Sequence, residues 1–202
     1  MRALRLPRSR SAHRPFRPYR YVVSLLAALA MLVVPAVASA AKGFTEQVAS
    51  ARWSIPFHCP DGSTAADGRL IVETDNFIEA GTTPDANPPL RVGFVGQCAN
   101  GTFSWGFVQA APTQFDPSLK NVTVSGTFAN VRDNRGGLHT VSVDARWTGT
   151  GPIMTTVNGP GSMRKERPAT ATATIVFDGN TLVDGAANFP FPAPFIRVDT
   201  EK

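Results

Sequence analysis

The 202 residues carry 20 Lys+Arg against 15 Asp+Glu, a formal net charge of +5, but the excess sits at one end. Seven arginines crowd residues 1–20 and all 15 acids follow residue 40, so residues 41–202 hold 13 basic and 15 acidic side chains, a net −2. Bulk charge therefore excludes a nucleic-acid or acidic-membrane partner for that part, because such recognition needs a basic patch on the folded domain.

The first element in chain order is a leader. Arg2, Arg5, Arg8, Arg10, Arg14, Arg17 and Arg20 form a basic start, Tyr21 to Val34 an apolar run, and Ala38-Ser39-Ala40 a small-residue end after Pro35. These are the three parts of a cleavable signal peptide. The arginines stay on the cytoplasmic side and the apolar run inserts as a helix. Pro35 ends that helix, leaving an extended stretch for cleavage between Ala40 and Ala41. The alternative is an uncleaved signal that anchors the chain, since Tyr21 to Ala40 approaches the ~20 residues that span a bilayer. The expected product is a secreted protein with no membrane span after cleavage. Its 162 residues form a single domain, 41–202, large enough to bury roughly 70% of its unfolded surface.

The rest of the chain alternates with period two. Ala49, Ala51, Trp53, Ile55 and Phe57 share one face, as do Phe103, Trp105 and Phe107. So do Val122, Val124, Gly126 and Phe128; Val141, Val143, Ala145 and Trp147; and Ala169, Ala171, Ala173, Ile175 and Phe177. Each reads as a strand with one wet face. Shorter strands are expected at 69–74, 91–96 and 195–199. Turn dipeptides separate them, among them Asp61-Gly62, Asn100-Gly101, Gly136-Gly137 and Asp178-Gly179. They predict hairpins turning at Arg132–Gly137 and Asp178–Asn180. About eight short strands indicate an all-β domain: an antiparallel β-sandwich, immunoglobulin-like in general architecture, or alternatively a β-barrel. Residues 75–90 and 149–168 carry little pattern and read as long loops. The proline-rich Phe189–Phe195 belongs on an edge or on a crossing between sheets.

Two cysteines remain, Cys59 and Cys98. In an exported chain an even pair is most simply a disulfide, here tying two segments just past strand ends.

No residue pattern marks a catalytic centre. His58 adjoins Cys59, but neighbours on a strand face opposite ways, and a disulfide would remove the nucleophile. His139 is the other histidine of the exported part. Eight serines lack a Gly-x-Ser-x-Gly elbow, and the ten aspartates and five glutamates are scattered over turns. Zinc lacks sufficient nitrogen and sulfur ligands. Asp61 to Asp67, and Asp178 with Asn180 and Asp184, offer calcium some oxygens, but Leu182 falls where an EF-hand loop needs one. No cofactor is expected.

Arg132 and Arg135, and Arg164, Lys165 and Arg167, read as separate solvated loop tips, and the three tryptophans as core. Asn100 and Asn121 head glycosylation sequons that matter only in a eukaryotic cell. The expected function is a non-enzymatic binding or interaction module acting on a protein or envelope ligand; the alternative is a secreted hydrolase with an unmarked carboxylate or serine site.

Overall fold

A computed structural model describes residues 43–202; the leader and the Ala40–Ala41 junction lie outside the described residues. The described chain is all-β and wholly antiparallel. Its eleven strands are β1 (Phe44–His58), β2 (Thr64–Glu79), β3 (Pro89–Cys98), β4 (Gly101–Ala110), β5 (Thr113–Phe115), β6 (Asn121–Arg132), β7 (Leu138–Gly149), β8 (Met154–Gly159), β9 (Ser162–Phe177), β10 (Asn180–Ala186) and β11 (Phe195–Glu201).

The strands form one continuous sheet in the order β4-β3-β2-β1-β11-β9-β7-β6-β5, with β8 and β10 also paired to β9. The end strands β4 and β5 are joined by only Ala111 and Pro112. A two-residue link spans roughly 10 Å, so the sheet must turn back on itself. It does so through β9. Residues Ser162 to Pro168 pair with β11 and β8, whereas Ala169 to Phe177 pair with β7 and β10. Pro168, which has no N–H to donate, stands at the changeover. On the far side, the turn after β6 docks on the free edge of β4. Asn134 receives the Ser104 N–H on Oδ1 (3.0 Å), donates its own N–H to the Ser104 carbonyl (2.9 Å), and donates Nδ2 to the Thr102 carbonyl (2.9 Å).

The enclosed core is the set of inward faces read from period two. Trp53, Trp105 and Trp147 are all buried, at 1%, 4% and 0% exposure. Alanines face the large rings: Trp147 sits opposite Ala171 in the ladder, so small and large residues fill the layer together. Across the fold Trp105 stacks on Phe177 at 5.1 Å, and Phe107 packs on Phe128 at 4.6 Å.

All eight expected strands are present, as are both hairpins. Three further strands raise the number to eleven. β8 and the first half of β9 lie within 149–168, the stretch read as a loop; β8 is exposed on almost every residue, so it has no apolar face to give it a period. Arg164, Lys165 and Arg167 are consequently strand residues, not loop tips. Arg164 Nε donates to Asp199 at 2.7 Å, and the Arg197 guanidinium forms an ion pair with the same carboxylate at 2.8 Å without a hydrogen bond from its Nε. Asp199 holds the Arg164 guanidinium pKa above its usual value against a smaller opposing effect of burial. β2 likewise runs to Glu79, shortening the loop read at 75–90. Residues 187–194 pass from β10 to β11, a crossing as expected from their prolines.

Cys59 and Cys98 form the disulfide, with Cα atoms 5.9 Å apart. Beside it Asp61 binds the turn after β1 to the turn after β3: Oδ1 accepts from the Ser63 N–H and hydroxyl, and Oδ2 from the Asn100 N–H. Those three bonds, led by the Ser63 hydroxyl, lower its pKa.

Candidate functional site

On β1–β4 the face away from the core has an uneven relief set by register. One row across the four strands reads Arg52, Ile71, Gly93, Gly106. The next reads Ser54, Arg69, Val95, Ser104, and the one on the other side Ser50, Glu73, Arg91, Val108. Two glycines stand side by side on β3 and the end strand β4, and Gly93 lies in a depression of this face. Neither has a positive φ. At Gly93 a Cβ would meet only Ile71 Cγ2, at an ordinary 3.4 Å, so the backbone does not demand glycine there. At Gly106 a Cβ would come within 3.1 Å of the Val92 carbonyl, so packing explains that glycine, whereas Gly93, where nothing local requires glycine, marks a place of close approach.

The crossing segment supplies a rim. Asn188 pairs with both backbone groups of Ser54, receiving the N–H on Oδ1 (2.7 Å) and donating Nδ2 to the carbonyl (2.9 Å). The Phe189 N–H reaches the Arg52 carbonyl (3.3 Å). These bonds anchor the segment at Asn188 and Phe189, and Phe189 and Phe191 line, with Gly93, an open trough of about 560 Å³. Ile71, Val95 and Phe191 give it apolar walls; Phe191 is 81% exposed and Val95 43%. The Arg69 guanidinium lies 5.5 Å from the centre of the Phe189 ring. Arg52 Nε is buried and has no hydrogen-bond partner among the described residues.

At the turn end lies a second cavity of about 440 Å³, lined by Phe57, His58, Phe103, His139, Phe177 and Asp178 among others. Here the structure assembles a cluster that no spacing in the sequence announces. His139 Nδ1 is 2.6 Å from Asp178 Oδ2, and its Nε2 is 3.0 Å from Asp133 Oδ2. The second oxygen of Asp133 accepts the Gly137 and Arg135 N–H groups, and that of Asp178 the Thr140 N–H. Burial works against charge on His139, but the bonds to the two carboxylates outweigh it and raise its pKa. The same contact lowers the pKa of Asp133; for Asp178, burial pushes up, and His139 with the Thr140 N–H brings the balance down. An imidazolium donates from both nitrogens, which suits two acceptors. The cluster ties the β6–β7 turn to the β9–β10 turn as a charged clasp.

His58 ends β1 as an exposed residue 3.4 Å from the Thr64 hydroxyl. The oxygens considered for calcium are engaged separately: Asp61 with Ser63 and Asn100, Asp178 with His139 and Thr140, Asp184 with the Thr174 hydroxyl. Cys59, Asp61 and Cys98 converge in metal-binding proximity, but the two sulfurs are spent on the disulfide. Asn100 Oδ1 accepts from Arg135, and Asn121 Oδ1 from Arg146.

No protein-family model, curated protein or solved structure matches the chain. The site must be read from its own chemistry.

The sequence reading passed over Gly93 and Gly106 because it followed apolar residues. Their signal was glycine at an outward position of a strand, repeated on the strand beside it. For the His139 clasp there was no such signal: Asp133 and Asp178 looked like ordinary turn formers.

Proposed function

We propose that the domain is a non-enzymatic binding module of the cell exterior or envelope, exported by its leader, and that the trough on β1–β4 is its ligand seat. The observation that carries this reading is the trough itself, in which Gly93 and Ile71 lie with Phe189 and Phe191 beside the unpaired Arg52 Nε. A cavity of a few hundred Å³ with mostly apolar walls and a few polar groups is the usual form of a small-ligand site. The hydrolase alternative draws less support. Both nitrogens of His139 are engaged by carboxylates, so neither is free to take a proton from a serine hydroxyl. The disulfide and the leader support export.

The seat is tested by fluorescence titration of the domain with N-phenyl-1-naphthylamine, a neutral apolar probe. Saturable binding that Gly93→Leu abolishes, with an unchanged thermal unfolding midpoint, is the expected result. Equal affinity in Gly93→Leu, or no binding of either this probe or its sulfonate analogue 1-anilinonaphthalene-8-sulfonate, overturns the trough as the seat. Export is tested by mass spectrometry of the released product, which should begin at Ala41 or a neighbouring residue. A membrane-bound product retaining residues 21–40 overturns it.

A further inference from the structure

We propose that the trough selects small organic anions with an apolar body, such as an aromatic or single-chain carboxylate, sulfonate or phosphate ester, and that Arg52 and Arg69 hold the charged head. This rests on the trough being the ligand seat and adds the class of ligand.

The register carries the argument. Arg52 stands opposite Ile71 and Arg69 opposite Ser54, so the two arginines are diagonal neighbours on the outer face of β1 and β2. Diagonal side chains of that length reach one another, and two guanidinium groups so placed repel. The neighbouring acids do not relieve them. Glu73 bonds Arg91 at 3.1 Å, and among the described residues no ion pair joins Arg52 or Arg69 to Asp67, Glu73 or any other carboxylate.

The donors are correspondingly unspent. Arg52 Nε is buried without a partner among the described residues, and the Arg69 guanidinium lies over the Phe189 ring, 5.5 Å from its centre. A wholly apolar ligand would cover Arg52 further and leave its N–H groups unpaired, which is costly. A carboxylate, sulfonate or phosphate oxygen pair matches the guanidinium fork and removes the repulsion together. Beyond the head, Ile71, Val95 and the exposed face of Phe191 offer an apolar bed for a ring or short chain, where Gly93 leaves room.

Size and charge select a free small molecule over a membrane. About 560 Å³ accommodates a ligand of drug-like size. The net −2 of residues 41–202 opposes approach to an anionic bilayer.

The test pairs two probes that share one apolar body: 1-anilinonaphthalene-8-sulfonate and neutral N-phenyl-1-naphthylamine, titrated into the wild-type domain, Gly93→Leu, Arg52→Gln, Arg69→Gln and the double Arg→Gln variant. Near-ultraviolet circular dichroism monitors the native fold of each. The sulfonate should bind at least about tenfold more tightly than the neutral probe. The double Arg→Gln variant should lose about 10- to 100-fold in sulfonate affinity and less than threefold for the neutral probe. Equal affinities, insensitive to both arginines but abolished by Gly93→Leu, overturn the anionic class and leave the seat standing. Binding of neither probe that responds to Gly93→Leu overturns the seat itself. Sedimentation with phosphatidylglycerol vesicles completes the set: no co-sedimentation is expected, and vesicle binding lost in the double Arg→Gln variant overturns the free small molecule as occupant.

Discussion

The two cavities differ in what their polar groups are doing. At the turn end each partner of the clasp is spoken for: both nitrogens of His139, and all four oxygens of Asp133 and Asp178, have partners within the fold. In the trough on β1–β4, Arg52 Nε has none among the described residues, and Phe191, which lines the same trough, is almost bare. Satisfied charges hold a structure together, and unsatisfied ones beside exposed apolar surface await something else. The turn end is therefore read as a fastening and the trough as a receptacle. Substitutions at the fastening should cost stability, and substitutions in the receptacle should cost binding.

The strongest way to break the fastening is through the disulfide. Cys59 and Cys98 are separated by 39 residues, and opening such a loop costs about 2–4 kcal/mol. Cys59→Ser should lower the unfolding free energy by that amount in urea titration. A loss below about 1 kcal/mol would show that Asp61 and Ser63 hold the two turns unaided.

Next in size is the clasp itself. His139→Ala leaves Asp133 and Asp178 facing one another without a cation and should destabilise by about 1–3 kcal/mol, since hydrogen bonds to charged groups have that worth. If chemical denaturation shows the variant as stable as the wild type, the cluster is no fastening.

The clasp also implies a pH dependence whose sign follows from the direction of each shift. The His139 pKa is raised above its ordinary 6.5, so its contribution is complete below about pH 6.5 and is lost as pH rises through the raised value. Asp133 and Asp178 are lowered from 3.8, so theirs is complete above about pH 4 and is lost as pH falls through the lowered values. The stability gap between wild type and His139→Gln should be widest at mildly acidic pH and narrow toward pH 9. A gap constant from pH 5 to 9 would contradict a charged clasp.

Trough variants belong at the bottom of this scale. Gly93→Leu points into open space beyond Ile71 and should change stability by no more than about 0.5 kcal/mol. A larger loss would place Gly93 among residues needed for folding and sharpen the contrast against the ligand reading.

How much of this was legible depends on the distance over which each feature is written. Period two along 49–57, 103–107 and 141–147 needs only neighbouring residues, and it marked those strands and the buried tryptophans. The turns at Arg132–Gly137 and Asp178–Asn180 are equally local, and the pairing of Cys59 with Cys98 followed from there being only two cysteines. β8 escaped because exposure on both faces erases the period. The charged first half of β9 escaped because its partner is Asp199 on β11, well along the chain. Four strands had to fall into register before Gly93 met Gly106 and Arg52 came diagonal to Arg69. Two turns, 39 residues apart, had to close on His139 before Asp178 became its partner. The sequence by itself determined eight of the eleven strands, their inward faces and the bridge, since alternation and composition act locally. Only the tertiary structure decided the trough and the clasp, because register and sheet curvature choose which distant side chains share a face.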